Sequence, residues 1–265
     1  MDGVPTTRVA LLDGFRLRLA GRTSHSTMED MPRGLQRLVA HLGLFDSPAR
    51  TAIAGHLWPD VPESHAHGSL RSALWRLQKL VPGLIRSTGE TLALAENVRV
   101  DVWELIAWAH RAMDPHTGVD EVAAPDPGLS GELLPGWYDD WVLLERERFR
   151  QLRMHALEAL ANKLSVAGRF GEAVQAACAA VQAEPLRESA HRTLVQVHIA
   201  EGNLVEAVRA FDAFRTMLSD ELGVTPTAAM LRLVSRLPRP PEPRCTTRSR
   251  LGDPYERHLV TVPPL

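Results

Sequence analysis

Cysteine is scarce: the 265 residues hold two, Cys178 and Cys245, far apart in the chain. That excludes a disulfide framework and makes a reducing, cytoplasmic location the expectation. Aromatic residues make up only 5% of the chain, and many apolar positions are Ala or Leu, which favours helices over an all-β fold. No apolar run approaches the ~18 residues that a membrane span needs. Met1-Asp2-Gly3-Val4-Pro5 lacks the basic and apolar segments of a secretory signal, so no membrane partner is expected. Charge of one sign is missing too: 30 Lys and Arg stand against 32 Asp and Glu, net −2, which as a whole argues against strong nucleic-acid binding. Also absent are G-x-S-x-G, a phosphate-cradling Walker loop and a dinucleotide fingerprint, so nothing points to an enzyme or a cofactor.

Several features are present. Gly168-Arg169-Phe170-Gly171-Glu172-Ala173-Val174-Gln175-Ala176 returns 34 residues later as Gly202-Asn203-Leu204-Val205-Glu206-Ala207-Val208-Arg209-Ala210. A period of ~34 residues marks the tetratricopeptide helix–turn–helix repeat. The two glycines fall at tight turns, and Ala173 and Ala207 are small where helices must approach. Ala177 and Ala180 align with Phe211 and Phe214 in larger core slots. Pro185 ends the first repeat, and Ser219 replaces it in the second. Stacked helix pairs leave a groove that takes a partner, unless the array fills it internally.

Charge is unevenly divided. Residues 1–100 carry 12 basic and 9 acidic side chains (12 − 9 = +3), and residues 101–265 carry 18 and 23 (18 − 23 = −5). The first hundred residues do not repeat. Val9–Leu12 and Phe15–Leu19 read as short strands about an Asp13-Gly14 turn, and a further strand is possible over 23–31. Leu35, Leu38, Val39 and Leu42 line one face of a helix that Pro32 opens. Ser47-Pro48 reads as the cap and first residue of a second helix, which presents Ala49, Ile53 and Leu57 inward. A third helix spans about Ser64 to Leu80, stopped by Pro82-Gly83. A hairpin about Thr88-Gly89-Glu90 follows, and Val98-Arg99-Val100 closes the module. From Asp101, a plausible N-cap, the chain reads as helical. Residues 114–131 form a loop, a long helix runs from about Asp139 to Val166, and helices follow at 170–183, 187–200, 204–221 and 227–236. Pro238-Arg239-Pro240-Pro241-Glu242-Pro243 begins a Pro-rich tail, 238–265, expected to be disordered.

The third helix carries the chemistry. Ala66, Leu70, Ala73, Leu74 and Leu77 form its apolar stripe, and the opposite face carries His65, Gly68, Ser72, Trp75, Arg76 and Lys79, flanked by Ser69 and Arg71. No acidic residue occurs from Ser64 to Leu80. A solvated helix face normally mixes signs. Arg can grip guanine edges bidentately, Ser can contact bases or phosphates, and Gly68 permits close backbone approach. The bland alternative is a basic surface helix; the helix and turn before it favour a helix–turn–helix. Trp75 either faces the groove or packs on the hairpin or the helical part. His65-x-His67 is no metal site, because i and i+2 diverge on a helix and no Cys or acidic partner is near. Asp139-Asp140 and Glu145/Glu147 lie at a helix start and on a face interleaved with arginines, which assigns them to helix-dipole and solvation roles. Cys178, whose repeat counterpart is Asp212, reads as a structural thiol.

In this order the motifs identify a family. The chain resembles the SARP/AfsR-type bacterial transcriptional regulators, which join an OmpR-like winged helix to a bacterial transcriptional activation domain of tetratricopeptide-like helices. The match is carried by Leu57-Trp58-Pro59, by Ser69-Leu70-Arg71-Ser72-Ala73-Leu74-Trp75-Arg76-Leu77 and by Trp137-Tyr138-Asp139-Asp140-Trp141. Glu145-Arg146-Glu147-Arg148, Glu184-Pro185-Leu186-Arg187-Glu188, Gly202-Asn203 and Asp220-Glu221-Leu222-Gly223 complete it.

The resemblance implies a mainly α protein with a small β component: a winged helix over 1–100 and a tetratricopeptide-like activation domain over 101–237. It implies a sequence-specific activator that binds promoter repeats in double-stranded DNA, self-associates there and contacts RNA polymerase holoenzyme, often at secondary-metabolite genes. By this analogy His67, Ser69, Arg71, Ser72 and Arg76 face the major groove, and Arg86 and Thr88 serve the wing. Lys79 joins them as a DNA contact. Neither the ATPase module of larger members nor a receiver domain with a phosphoacceptor Asp is visible. The modest basicity of residues 1–100 favours side-by-side binding on repeats. The alternative is a helical-repeat scaffold whose winged helix contacts protein.

Overall fold

A computed structural model describes residues 6–19, 31–122 and 130–235. It opens with β1 (Thr7–Ala10) and β2 (Arg16–Arg18), followed by α1 (Arg33–Leu44), α2 (Arg50–Leu57) and α3 (Glu63–Leu80). A hairpin of β3 (Ile85–Thr88) and β4 (Thr91–Leu94) leads to β5 (Val98–Val100). Helices α4 (Asp101–Met113), α5 (Asp140–Val166), α6 (Phe170–Ala183), α7 (Glu188–Glu201), α8 (Leu204–Leu222) and α9 (Ala228–Val234) complete the described chain. The protein is mainly helical with a small β component. Among the described residues no helix is long and apolar enough to cross a membrane.

Period-2 alternation buries Val9, Leu17, Val98 and Val100 on one side of a sheet ordered β2-β1-β5. β2 pairs antiparallel with β1, and β5 pairs parallel to it, with Val9 opposite both Leu17 and Val100. Helix α1 lies on the buried side. Its Leu35, Leu38, Val39 and Leu42 point inward, and a Cβ at Gly43 would stand 3.1 Å from Leu11 Cδ1 and 3.4 Å from Val100 Cγ1. That glycine lets helix and sheet meet closely.

The repeat helices form as the 34-residue period requires. Gly168 and Gly202 turn the chain at φ 74° and 85°, a conformation costly for residues with a Cβ. Ala173, Ala177, Ala180 and Ala207 are fully buried, and Phe211 and Phe214 fill the wider slots. One apolar cluster runs from Val9 to Val197, taking in residues on both sides of position 100. A smaller cluster of Val195, Ala207, Phe211, Phe214, Leu218 and Met230 sits beneath α7, α8 and α9.

The structure corrects three local expectations. Helix α2 starts at Arg50, and Ser47 (φ 46°) does not cap it. Ala49 is extended, and both residues are tied to the hairpin instead: Leu92 N–H donates to Pro48 O (3.1 Å), and Ala49 bridges Thr91. The first hairpin is wider than a two-residue turn, because Leu11 and Leu12 leave the ladder. Their N–H groups donate to the Asp101 carboxylate at 2.9–3.0 Å, and Leu134 N–H donates to Leu11 O at 2.8 Å. Asp101 is therefore the first residue of α4 rather than an ordinary cap, and it staples the end of β1 to that helix. The possible strand over 23–31 lies outside the described residues except for Met31, and so does the 238–265 tail.

Candidate nucleic-acid interface

Helices α2 and α3 are joined by the short turn Trp58–Pro62, and the buried side of α3 comprises Ala66, Leu70, Ala73 and Leu77. Leu74, expected in the stripe, is only half-buried. With ~100° per residue, Trp75 and Gly68 lie opposite that stripe, with Arg71 to one side and Ser72 and Lys79 to the other. Arg71, Ser72, Trp75, Arg76 and Lys79 are exposed. Trp75 is 60% exposed, and its inner edge lines a cavity with Arg50 and the hairpin residues Ile85, Ser87 and Leu92. Lys79 Nζ sits 3.9 Å from its ring centroid, a cation–π contact that steadies both side chains. Ser72 Oγ donates to Gly68 O (3.0 Å). A Cβ at Gly68 would meet only Arg71 Nη2, at 3.9 Å, so the fold itself does not require glycine there.

The expected contact residues do not all share one face. Ser69, Ser72 and Arg76 line a cavity of about 690 Å³ with His65, Gly68 and the start of α1. His67 lies about 180° around the helix from Arg76 by the same geometry. It is half-buried, with its Nε2 3.5 Å from Glu63 Oε1. Glu63 heads α3 one residue before the acid-free span and suits its positive dipole end.

The hairpin stands beside α2 and α3. Gly89 (φ 58°) opens the two-residue Gly89-Glu90 turn, and Thr88 is exposed next to it. Arg86 is also exposed, but its Nη1 lies 2.6 Å from Glu96 Oε1, which offsets its charge. Arg50, not singled out from the sequence, donates through Nη2 to Ser87 Oγ (2.9 Å) and joins α2 to the hairpin. The sequence does hold a signal for it: a cation at a helix N-terminus opposes the dipole and needs another reason to be there.

Behind this surface a polar and aromatic seam fastens α1 to α5. Arg37 pairs with Asp139, the Arg33 guanidinium lies 3.6 Å from the Trp137 ring centroid, and His41 packs edge-on to Trp141. Asp139 thus has a specific partner beyond solvation. His41 is buried and shares a 2.9 Å hydrogen bond with His56; burial, and secondarily His56, hold its pKa down to about 3. Burial raises the Asp101 carboxyl, opposed by the Leu12, Leu11 and Val102 N–H groups. Burial also raises the Cys178 thiol, which leaves it a poor nucleophile. Among the described residues no cluster of His, Cys, Asp or Glu could hold a metal ion.

The chain thus packs a helix–turn–helix with a flanking hairpin and a small sheet against stacked helical hairpins. Residues 106–237 match the bacterial transcriptional activator domain. The chain is 30% identical over 202 residues to the regulatory protein AfsR of Streptomyces coelicolor, covering 71% of this chain and 20% of that protein. It is 28% identical over 208 residues to AfsR of Streptomyces griseus, covering 73% and 21%. The chain therefore spans about a fifth of the length of these relatives. Its fold is similar to that of Mycobacterium tuberculosis EmbR, solved with a low-affinity phosphopeptide: the TM-score is 0.63 at 18% identity, over 86% of this chain and 64% of that one. These similarities support a transcriptional regulator of the SARP type.

Proposed function

We propose that this protein is a sequence-specific DNA-binding activator, with a reading module over residues 1–100 and an activation module over 101–237. The observation that carries this reading is the outer face of α3. Arg71, Ser72, Arg76 and Lys79 surround an exposed Trp75 and an unconstrained Gly68, with no acidic side chain from Ser64 to Leu80. Such a surface offers bidentate donors, a hydroxyl and an apolar plate to a major groove. Ser69 and Arg76 on one flank fit the rim of the same groove. His67 sits on the far flank and fits a backbone contact better than a base contact. Thr88, Ser87 and Arg50 form a polar hairpin edge suited to phosphates. RNA polymerase, and a second copy bound on an adjacent repeat, are the proposed partners. Catalysis has no role in this reading.

Selection of bound fragments from genomic DNA, followed by salt titration of the best fragment against scrambled DNA, tests the proposal. A repeated motif, a steep salt slope and a specificity ratio of ~10³ or more are the expected result. Weak, sequence-blind binding would instead assign the winged helix to protein contact and make the chain a helical-repeat scaffold.

A further inference from the structure

We propose that the outward face of the β2-β1-β5 sheet is a second, sequence-independent contact for a nucleic-acid backbone, separate from α3. The strand register determines this face. Arg8 stands directly opposite Arg18 on one side and Arg99 on the other, and Arg16 stands opposite Ala10. Arg8, Arg16, Arg18 and Arg99 are all exposed, while Thr7, Val9, Leu17, Val98 and Val100 are buried. The outward positions of the paired strands are thus four arginines and one alanine. With strands ~4.8 Å apart, three guanidinium stems form a row across the sheet.

Like charges directly opposite one another destabilise a sheet, so the row is a cost to the fold. Among the described residues one carboxylate is paired with it. Glu104 lies 2.7 Å from Arg8 and 3.6 Å from Arg99, leaving 4 − 1 = +3. Residues 1–100 contain 12 cationic side chains in all, so this sheet holds a third of them, as against the three on α3. The small positive surplus of the N-terminal part is therefore concentrated on two surfaces, only one of which is the reading helix.

The chemistry of the face selects its occupant. The core of a protein–protein interface is depleted in charge and enriched in aromatics. Apart from Ala10, the outward sheet positions offer no apolar side chain. Arg presents a planar fork that matches phosphate bidentately, and protein–DNA interfaces are polar, wet and strongly positive. A duplex backbone is therefore the favoured partner, and an acidic protein surface is not. The proposal shares with the proposed function the premise that DNA is the partner, and its test separates the two.

The test uses the full chain, a short duplex carrying the selected site and a long duplex without it. The variants are R18Q/R99Q, R18E/R99E and R71A/R76A. Both sheet positions are exposed, and circular dichroism with thermal melting checks that all variants fold. On the long duplex, R18Q/R99Q should flatten the log–log salt slope by about 2, at ~0.9 for each phosphate no longer neutralised, and charge reversal should weaken binding further. On the short site both sheet variants should bind within twofold of the wild type. R71A/R76A should lose the site while keeping the long-duplex slope. Wild-type slopes for both sheet variants on the long duplex would overturn the proposal. A wild-type slope combined with weakened binding to polyglutamate would assign the face to an acidic protein, and also overturns it. If selection yields no site yet the sheet variants lose the long duplex, the sheet proposal stands and the reading of α3 fails.

Discussion

Arg76 lies off the buried stripe of α3, so replacing it tests function with little burden on folding. If it reads a base edge, Arg76→Ala costs about 1–3 kcal/mol of specific DNA affinity while the melting temperature holds. Equal affinity in the two proteins would remove it from the readout. His41 is a residue of the opposite kind, invisible on the surface and tied to stability. Its native pKa of about 3 lies below the ordinary 6.5, so the unfolded chain takes up a proton that the native protein refuses. Its contribution is present above pH 6.5 and is lost as pH falls from there toward 3, up to ~4–5 kcal/mol in order of magnitude. Urea midpoints measured from pH 7.5 to 5 should fall on acidification. In His41→Phe that pH slope should shrink by about one proton, and superimposable profiles for the two proteins would refute this assignment.

At the scale of elements, the repeats show how far a sequence can be read. Periodicity placed α5 through α9 nearly to the residue, because a helix face repeats every 3.6 residues and a glycine or, at Pro185, a proline marks each turn. The start of α2 and the end of β1 were misplaced for a shared reason. Ser47-Pro48 and Asp13-Gly14 are strong local signals, but distant partners, the backbone at Thr91 and Leu134 and the Asp101 carboxylate, claimed the neighbouring groups. The α3 stripe was legible apart from Leu74, and so, from the ~100° step, was the separation of His67 from Arg76; the closing of the start of α1 over Ser69 and Arg76 was not, because it depends on tertiary packing. The repeat also yields a paired prediction. Gly202 sits at φ 85°, so Gly202→Ala costs about 1–2 kcal/mol. Gly171, aligned with Val205 in the next repeat, is helical with open space where a Cβ would go. Gly171→Ala therefore gains about 0.4–1 kcal/mol. Thermal melts that shift the same way for both substitutions would contradict this account of the turns.

At the scale of the whole molecule, the two parts are held as one body. Nothing local in the sequence announced this, since it depends on side chains about a hundred residues apart. The shared core runs through the β1–α4 staple and the segment from Gly131 to Trp137. The Asp13 N–H donates to Glu132 O (2.8 Å), and a Cβ at Gly131 would collide with the Asp13 carboxylate. Arg146 shapes that segment from α5: its guanidinium donates to the carbonyls of Leu133 (3.0 Å), Leu134 (2.8 Å) and Trp137 (3.0 Å) and pairs with Glu132 at 2.9 Å. Leu134 in turn holds Leu11, so one charged group on α5 fixes the chain where β1 ends. Removing it strands acceptors that bonds to a charged donor had satisfied, worth about 1.5–3 kcal/mol. Arg146→Ala should therefore lower the melting temperature and broaden or split a transition that is single in the wild type. DNA affinity should stay within twofold, because α3 and the hairpin keep their own packing. Promoter activation in a reconstituted transcription assay should fall, because the activation part no longer holds a fixed orientation on the bound site. An Arg146→Ala protein that melts in one sharp step at the wild-type temperature would show that the junction does not depend on this guanidinium. A melt that splits while activation stays intact would show that activation needs no rigid link between the two parts.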